Sequence, residues 1–360
     1  SMGVTLNFIN NPTISTWNGN VSVNDTGNVN TTLSSLTRAV GENVGSYNIT
    51  AAGFTALTGS AIGNYNAPTF GTANSPALTI TKASITGALT TPAQSIVYGQ
   101  NDPLLSSMGV TLSGLINNAS INTWNGLVSV SDTSSNVNTT LASLTRAVGE
   151  NVGSYNITAA TFNALAGSSA GNYNVPTFTT ANSPALTITK ASLTGTLTTP
   201  AQSIVYGQND PALSSMGVTL NFINNPTIST WNGNVSVNDT GNVNTTLASL
   251  TRAVGENVGS YNITAASFTA LTGSAISNYN APTFGTANSP ALTITKANLT
   301  GTLTTPAQSI VYGQNDPLLS SMGVTLNFIN NPTISTWNGN VSVNDTGNVN
   351  TTLSSLTRAV

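Results

Sequence analysis

Residues 185–211 read ALTITKASLTGTLTTPAQSIVYGQNDP, and near-copies stand at 77–103 and 291–317. ALTIT alternates apolar and polar residues, which puts Leu186 and Ile188 on one face of a strand. Lys190 and Ala191 follow, and SLTGTL with QSIVY then opens a second extended, β-branched run. Gly207-Gln208-Asn209-Asp210-Pro211 closes that run with turn chemistry. The stretch therefore predicts the last strand of one unit, a joint of about two residues, and the first strands of the next. Lys82-Ala83, Lys190-Ala191 and Lys296-Ala297 are the joint residues. So short a joint leaves little slack, and the units are expected to stack end to end as a semi-rigid rod.

Working outward, repetition dominates the chain. Trp17, Trp124, Trp231 and Trp337 are spaced by 107, 107 and 106 residues; Lys82, Lys190 and Lys296 by 108 and 106. Cutting at the joint predicts complete units at 84–191 and 192–297, with partial units at 1–83 and 298–360. Residues 1–40 are identical to residues 321–360. The pattern starts and stops in mid-unit, so the 360 residues are expected to be a window on a longer array. A competing reading is head-to-tail complementation, in which residues 298–320 of one chain complete the first unit of the next. Residues 321–360 would then duplicate strands already present.

Composition narrows the function classes. With 39% hydrophobic residues and a formal net charge of −3, the chain is too apolar for disorder. Charged residues are 5%, so solubility must come from Asn, Thr, Ser and Gly. Seven Lys and Arg cannot build a basic patch, which excludes nucleic-acid binding through phosphate contacts. There is no cysteine and no histidine. No disulfide framework exists, and triads or zinc sites built on those residues are excluded. No run of about 18 apolar residues is present to span a membrane as a helix. This Asn/Thr/Gly-rich, charge-poor composition suits an extracellular bacterial fibre.

Within 84–191 the pattern predicts short strands at 84–89, 95–98, 109–115, 119–124, 127–131, 139–147, 152–158, 160–165, 173–178 and 185–189. Leu104 to Met108 could form one helical turn. The fold class is all-β: tandem immunoglobulin-like β-sandwich repeats of 106–108 residues, with a β-grasp-like repeat as the alternative. Gly153-Ser154-Tyr155 reads as the start of a central strand whose tyrosine packs at a corner. Asn-Gly after each tryptophan reads as a two-residue hairpin turn. With Asn18-Gly19 as that turn, Ile14, Thr16, Val21 and Val23 face the core. Trp17 then falls on the polar face with Ser15, Asn20 and Ser22, while Leu127 stands opposite Trp124. An indole on a polar face needs cover from another loop, a neighbouring unit, another chain or a ligand. Trp17, Trp124, Leu127, Trp231 and Trp337 are thus the candidate contact residues. A longer turn would instead place the ring in the core.

SIVYGQNDP (95–103), LTRAVGENVGSYNIT (144–158), NYN (172–174) and ALTITKA (185–191), in that order, resemble the MBG-type repeats of large bacterial surface proteins. Such repeats are common in filamentous-haemagglutinin-like and other giant adhesins, and the similarity covers every unit. The middle segment LNFINNPTISTWNGNVSVNDT (6–26) departs from that pattern. The resemblance implies an extracellular, tandem-repeat role.

Little chemistry is on offer. Asp102, Asp132 and Glu150, the three carboxylates of their unit, lie far apart in turn-like contexts, which suits turn and capping roles better than a glycosidase pair. Asp102, beside Gln100 and Asn101, is a weak calcium candidate, because no Asp-x-Asp motif supports it. Lys190 could form an isopeptide bond to an Asn with help from Glu150, but a solvated lysine is the simpler reading. Asn24, Asn30, Asn48, Asn138, Asn156 and Asn262 head Asn-x-Ser/Thr triplets. The reading is a non-catalytic structural fibre or stalk segment without a cofactor. Its partners are neighbouring repeats and other copies of the chain. The alternative is a multivalent module for a surface glycan or host protein.

Overall fold

The computed structural model describes residues 2–72, 76–305 and 307–359. The described residues form short strands, with six single-turn 3-10 helices between them. The all-β expectation holds. Expected strands at 152–158 and 160–165 are one ten-residue strand, Gly153–Phe162, because nothing between Thr158 and Thr161 forces a turn. The turn expected at 104–108 is the 3-10 helix Leu105–Ser107.

The repeat at 192–297 shows the plan. A four-stranded sheet runs in the order Ala201–Val205, Ala291–Thr295, Gly259–Phe268, Leu247–Arg252. Its first pair is parallel and the other two are antiparallel. A three-stranded sheet has Thr194–Leu197 at its centre, antiparallel to Val218–Leu220 and parallel to Thr283–Phe284. A separate hairpin joins Asn224–Thr230 to Gly233–Asn238. These parallel pairs were not anticipated from sequence, since alternation says nothing of strand direction. Leu197 from the three-stranded sheet packs with Met216 and with Leu247, Leu250 and Ile263 of the four-stranded sheet. Ile204, Leu292 and Ile294 form a second cluster.

The chain divides into two compact units. One comprises Ser1–Gln94, Asp102–Val148 and Ser154–Thr187; the other comprises Ser95–Asn101, Gly149–Gly153 and Ile188–Val360. The divisions do not follow the sequence repeats. Residues 95–101 and 149–153 group with the repeat that comes after their own.

The hairpin register corrects the expected one. Thr16 pairs with Gly19, Ser15 with Asn20 and Ile14 with Val21, so Trp17 and Asn18 are the loop residues. Only the glycine has positive φ, +107° at Gly19 and +113° at Gly126. A turn followed by one left-handed glycine needs a single positive φ, whereas the expected Asn-Gly turn needs two. Thr16 fastens it: its Oγ1 donates to the Gly19 carbonyl at 2.6 Å and accepts from Asn18 N at 3.3 Å. A bulge between Asn11 and Ile14 accommodates Pro12. Leu127 consequently pairs with Asn122 rather than standing opposite Trp124. Each tryptophan sits at the hairpin tip, on neither face.

Candidate functional site

Tyr-Gly-Gln-Asn-Asp-Pro ends the strand Ala201–Val205, and each of its first five residues has a structural task. In the unit containing Ile188–Val360, this segment at 206–211 lies against the hairpin Asn330–Thr336/Gly339–Asn344 of the following repeat. Tyr206 donates from Oη to Asp345 Oδ1 at 3.1 Å. Gly207 accepts from Asn331 Nδ2 at 3.1 Å, and Asn209 Oδ1 accepts from Ser335 N at 2.9 Å. Gln208 Oε1 accepts from Val205 N at 3.1 Å, closing the turn. Asp210 N donates to Ser335 O at 3.0 Å.

The same contacts recur between residues 98–101 and the hairpin Asn224–Thr230/Gly233–Asn238. Tyr98 donates to Asp239 Oδ1 at 3.3 Å, Asn225 to the Gly99 carbonyl at 3.2 Å, and Ser229 N to Asn101 Oδ1 at 2.8 Å. Tyr98 stands edge-on to Tyr279, with ring centroids 5.5 Å apart. Tyr279 donates to the other oxygen of Asp239 at 2.5 Å and accepts from Ile223 N at 2.8 Å. Glycine is required at this approach: a Cβ on Gly99 would meet Ile223 Cγ2 at 2.6 Å, and one on Gly207 would meet Ile329 Cγ2 at 2.5 Å.

An arginine anchors the joint from the other side. Arg252 gives Nε to Asp210 Oδ2 at 2.9 Å, and a second guanidinium nitrogen to Asp210 Oδ1 at 3.2 Å and Glu256 Oε1 at 2.6 Å. Its remaining nitrogen donates to the Gly255 carbonyl at 2.7 Å, and its carbon lies 5.3 Å from the Tyr261 ring centroid. The side chains of Arg252 and Asp210 are 0% and 1% exposed. Burial disfavours the guanidinium charge, but hydrogen bonds to Asp210 and Glu256 outweigh it and hold the arginine pKa above its ordinary value. Asp210 Oδ2 also accepts from Trp337 N at 2.9 Å. Asn338, beside that tryptophan, donates to the Arg252 carbonyl at 2.8 Å and accepts from Arg252 N at 3.1 Å. In the other unit Arg146 holds Asp102 with the same geometry, at 2.9 and 3.2 Å. Asn125 grips the Arg38 backbone as Asn338 grips that of Arg252. A third contact comes from Asn278, which bonds Val152 N and Asn151, as Asn172 bonds Val44 N and Asn43.

Tyrosine follows the corner expectation. Tyr47 and Tyr261 donate to the carbonyls of Asn43 and Asn257, four residues upstream, at 2.7 Å.

Of the tryptophans singled out from sequence, Trp337 lies at this joint. Trp337 is half-buried; its indole N–H donates to the Pro211 carbonyl at 2.9 Å, and its ring packs against both apolar clusters of the preceding repeat. Trp231 is also half-buried. Trp17, upstream of the first Asn-Asp-Pro in the sequence, is 107% exposed. Trp124 and Leu127 are exposed. Of the four possible covers for the ring, a neighbouring repeat supplies it at Trp337. Trp337→Ala is expected to cost about 2–3 kcal/mol, read from hydrogen exchange of residues 330–344. Unchanged protection of that hairpin would contradict a role at the joint.

Ala191 is buried and bridges in parallel to Tyr279, as Ala83 does to Tyr173; Ala297 is half-buried. Lys82, Lys190 and Lys296 are exposed. Asp102, the calcium candidate, has both oxygens engaged by Arg146, and no group of three or more potential acidic ligands converges among the described residues. Sequence reading missed Arg146 and Arg252. The available signal was that each complete repeat holds one arginine in a chain with only 5% charged residues.

A family model described as the MBG domain (YGX type) matches residues 88–187 and 196–284. The chain belongs to the YGX-type MBG domain family. No curated protein and no solved structure matches it. Tyr98-Gly99-Gln100 and Tyr206-Gly207-Gln208 lie one in each matched segment. In these MBG repeats that tyrosine and glycine both meet the next repeat.

Burial, with Asp239 beside it, pushes Tyr98 up to about 12. Burial and Asp345 raise Tyr206, and burial and Asp239 raise Tyr279. A tyrosine whose folded pKa exceeds its unfolded value of about 10 contributes stability that is complete below pH 10 and disappears as pH rises through the folded pKa. With no histidine to titrate, unfolding midpoints should stay flat from about pH 5 to 9. They should then fall between about pH 10 and 12, together with tyrosinate absorbance. Midpoints unchanged up to pH 12 would refute the coupling.

Proposed function

We propose that this chain is a structural segment of an extracellular fibre or stalk, built from MBG repeats and carrying out no catalysis. One observation carries the reading: a set of polar side chains that recurs from repeat to repeat fastens one repeat to the next. Tyr98 and Tyr206, Asn101 and Asn209, and Asn225 and Asn331 make the same hydrogen bonds at two successive joints. Repetition of one interface is what a linear array requires, since stability then sums over repeats and the contacts between neighbours. The close glycine contact, and the bonds from Trp337 and Asn338 to Asp210 and Arg252 of the preceding repeat, oppose hinging at the joint. Placement outside the cell is supported by family membership, the absence of cysteine and the low charge. No helix among the described residues is long and apolar enough to cross a membrane.

A multivalent binding module is the second reading. It draws on the repeat at 84–191, which alone has SGLINNAS (113–120), SDTSSN (131–136) and an exposed Leu127. Immunogold electron microscopy of the source cells separates the readings from a non-surface role. Label along linear appendages is expected, with their length falling as repeats are deleted. Label confined inside the cell would end the proposal, and appendages of unchanged length with lost adhesion would favour the binding module.

A further inference from the structure

Asn-Gly follows each tryptophan, and it is the asparagine sequence most open to attack on its own side chain, because glycine puts no Cβ in the way of its backbone nitrogen. At Asn125-Gly126 and Asn338-Gly339 solvent has free access. Both asparagines are exposed, and nothing lies within 4 Å of where a Cβ on Gly126 or Gly339 would stand. Their amides are nevertheless held. Asn338 Nδ2 donates to the Arg252 carbonyl at 2.8 Å, and its Oδ1 accepts from Arg252 N at 3.1 Å. Asn125 holds the Arg38 backbone at the same two distances.

Arg252 ends the strand Leu247–Arg252 and Arg38 ends Leu33–Arg38, each the outer strand of its sheet. The asparagine amide therefore offers that strand what the peptide group of a further strand would offer, one donor and one acceptor at once. Only an amide does this. An aspartate in its place has no donor, and sets a charged acceptor against the arginine carbonyl. An isoaspartate also lengthens the backbone of a two-residue loop that Thr336 closes. Thr336 Oγ1 donates to the Gly339 carbonyl at 2.6 Å and accepts from Asn338 N at 3.1 Å.

We propose that Asn125 and Asn338 are spontaneous deamidation sites, guarded by the joint while they are amides and unable to hold it once converted. Gly339 N attacks Asn338 Cγ, the Cγ–Nδ2 bond breaks, and the peptide proton leaves with that nitrogen as ammonia. Water then opens the succinimide ring to aspartate or isoaspartate. The two bonds to the Arg252 backbone keep Cγ from turning toward Gly339 N, so the joint must open before the reaction starts. This does not rest on the fibre reading; it requires only those bonds. The test ages the full chain at about pH 9, below the range in which tyrosine ionises. Peptide mapping by mass spectrometry follows Asn, Asp and isoaspartate. Asn338 should convert at least about tenfold more slowly than in the free peptide ISTWNGNVS, residues 334–342, since only the open fraction reacts. Gly207→Ala, which crowds Ile329 at the same joint, should raise conversion at Asn338 by the factor by which it raises hydrogen exchange at residues 330–344. Asn125, at a joint in the other unit, should keep its rate. Asn338→Asp should lower exchange protection at Arg252 and across residues 330–344. Equal rates in chain and peptide, or conversion that does not move with exchange, would overturn the joint as guard. Unchanged protection in Asn338→Asp would overturn the loss of the joint on conversion.

Discussion

Arg252→Met should destabilise the joint by about 3–5 kcal/mol, because it strands the Asp210 carboxylate in a site from which water is excluded. The pair is 0% and 1% exposed, and of the partners described above the Asp210 carboxylate would keep only Trp337 N–H. Among the described residues every buried side-chain nitrogen and oxygen has a hydrogen-bond partner, so the charge is well compensated until one side is removed. Lys296→Met is the internal control: Lys296, like Lys190, is exposed, and a surface substitution of that kind changes stability by no more than about 0.5 kcal/mol. The double variant Arg252→Met, Asp210→Leu should recover much of the loss, since an apolar pair carries no desolvation penalty. Hydrogen-exchange protection across residues 201–211 and 330–344 reads all three. A loss at Arg252 no greater than at Lys296 would show that burial does not set the strength of the pair.

Gly207→Ala and Gly241→Ala should differ although both glycines are left-handed, with φ of +86° and +77°. Left-handed backbone strain, about 1–2 kcal/mol for a residue with a Cβ, is common to the two. Only at Gly207 would the new methyl meet a neighbour, Ile329 Cγ2 at 2.5 Å; nothing lies within 4 Å of Gly241. Overpacking should add about 1–3 kcal/mol at Gly207. The excess cost of Gly207→Ala over Gly241→Ala is thus a measure of the contact between successive repeats. Equal costs would mean that the glycine serves the turn alone.

Repetition, the all-β class and the positions of most strands were legible in the sequence, because they depend on local alternation and on Gly, Asn and Pro as punctuation. Within the stretch 185–211, Ala191 bridges forward to Tyr279. The hairpin around Trp17 was legible as a hairpin but not in register. Asn-Gly signals a turn, and whether one or two residues take positive φ is set by how the flanking strands align. Tertiary structure alone decided the joint. Asp102 and Arg146 are 44 residues apart, and Tyr98 and Asp239 are 141 apart. No periodicity links positions at such separations; folding brings them together because an isolated charge or phenol could not be buried without a partner. For the same reason the tryptophan was readable as a residue in need of cover, while the identity of that cover, the Asp-Pro turn of the preceding repeat, emerged only once the chain had folded back on itself.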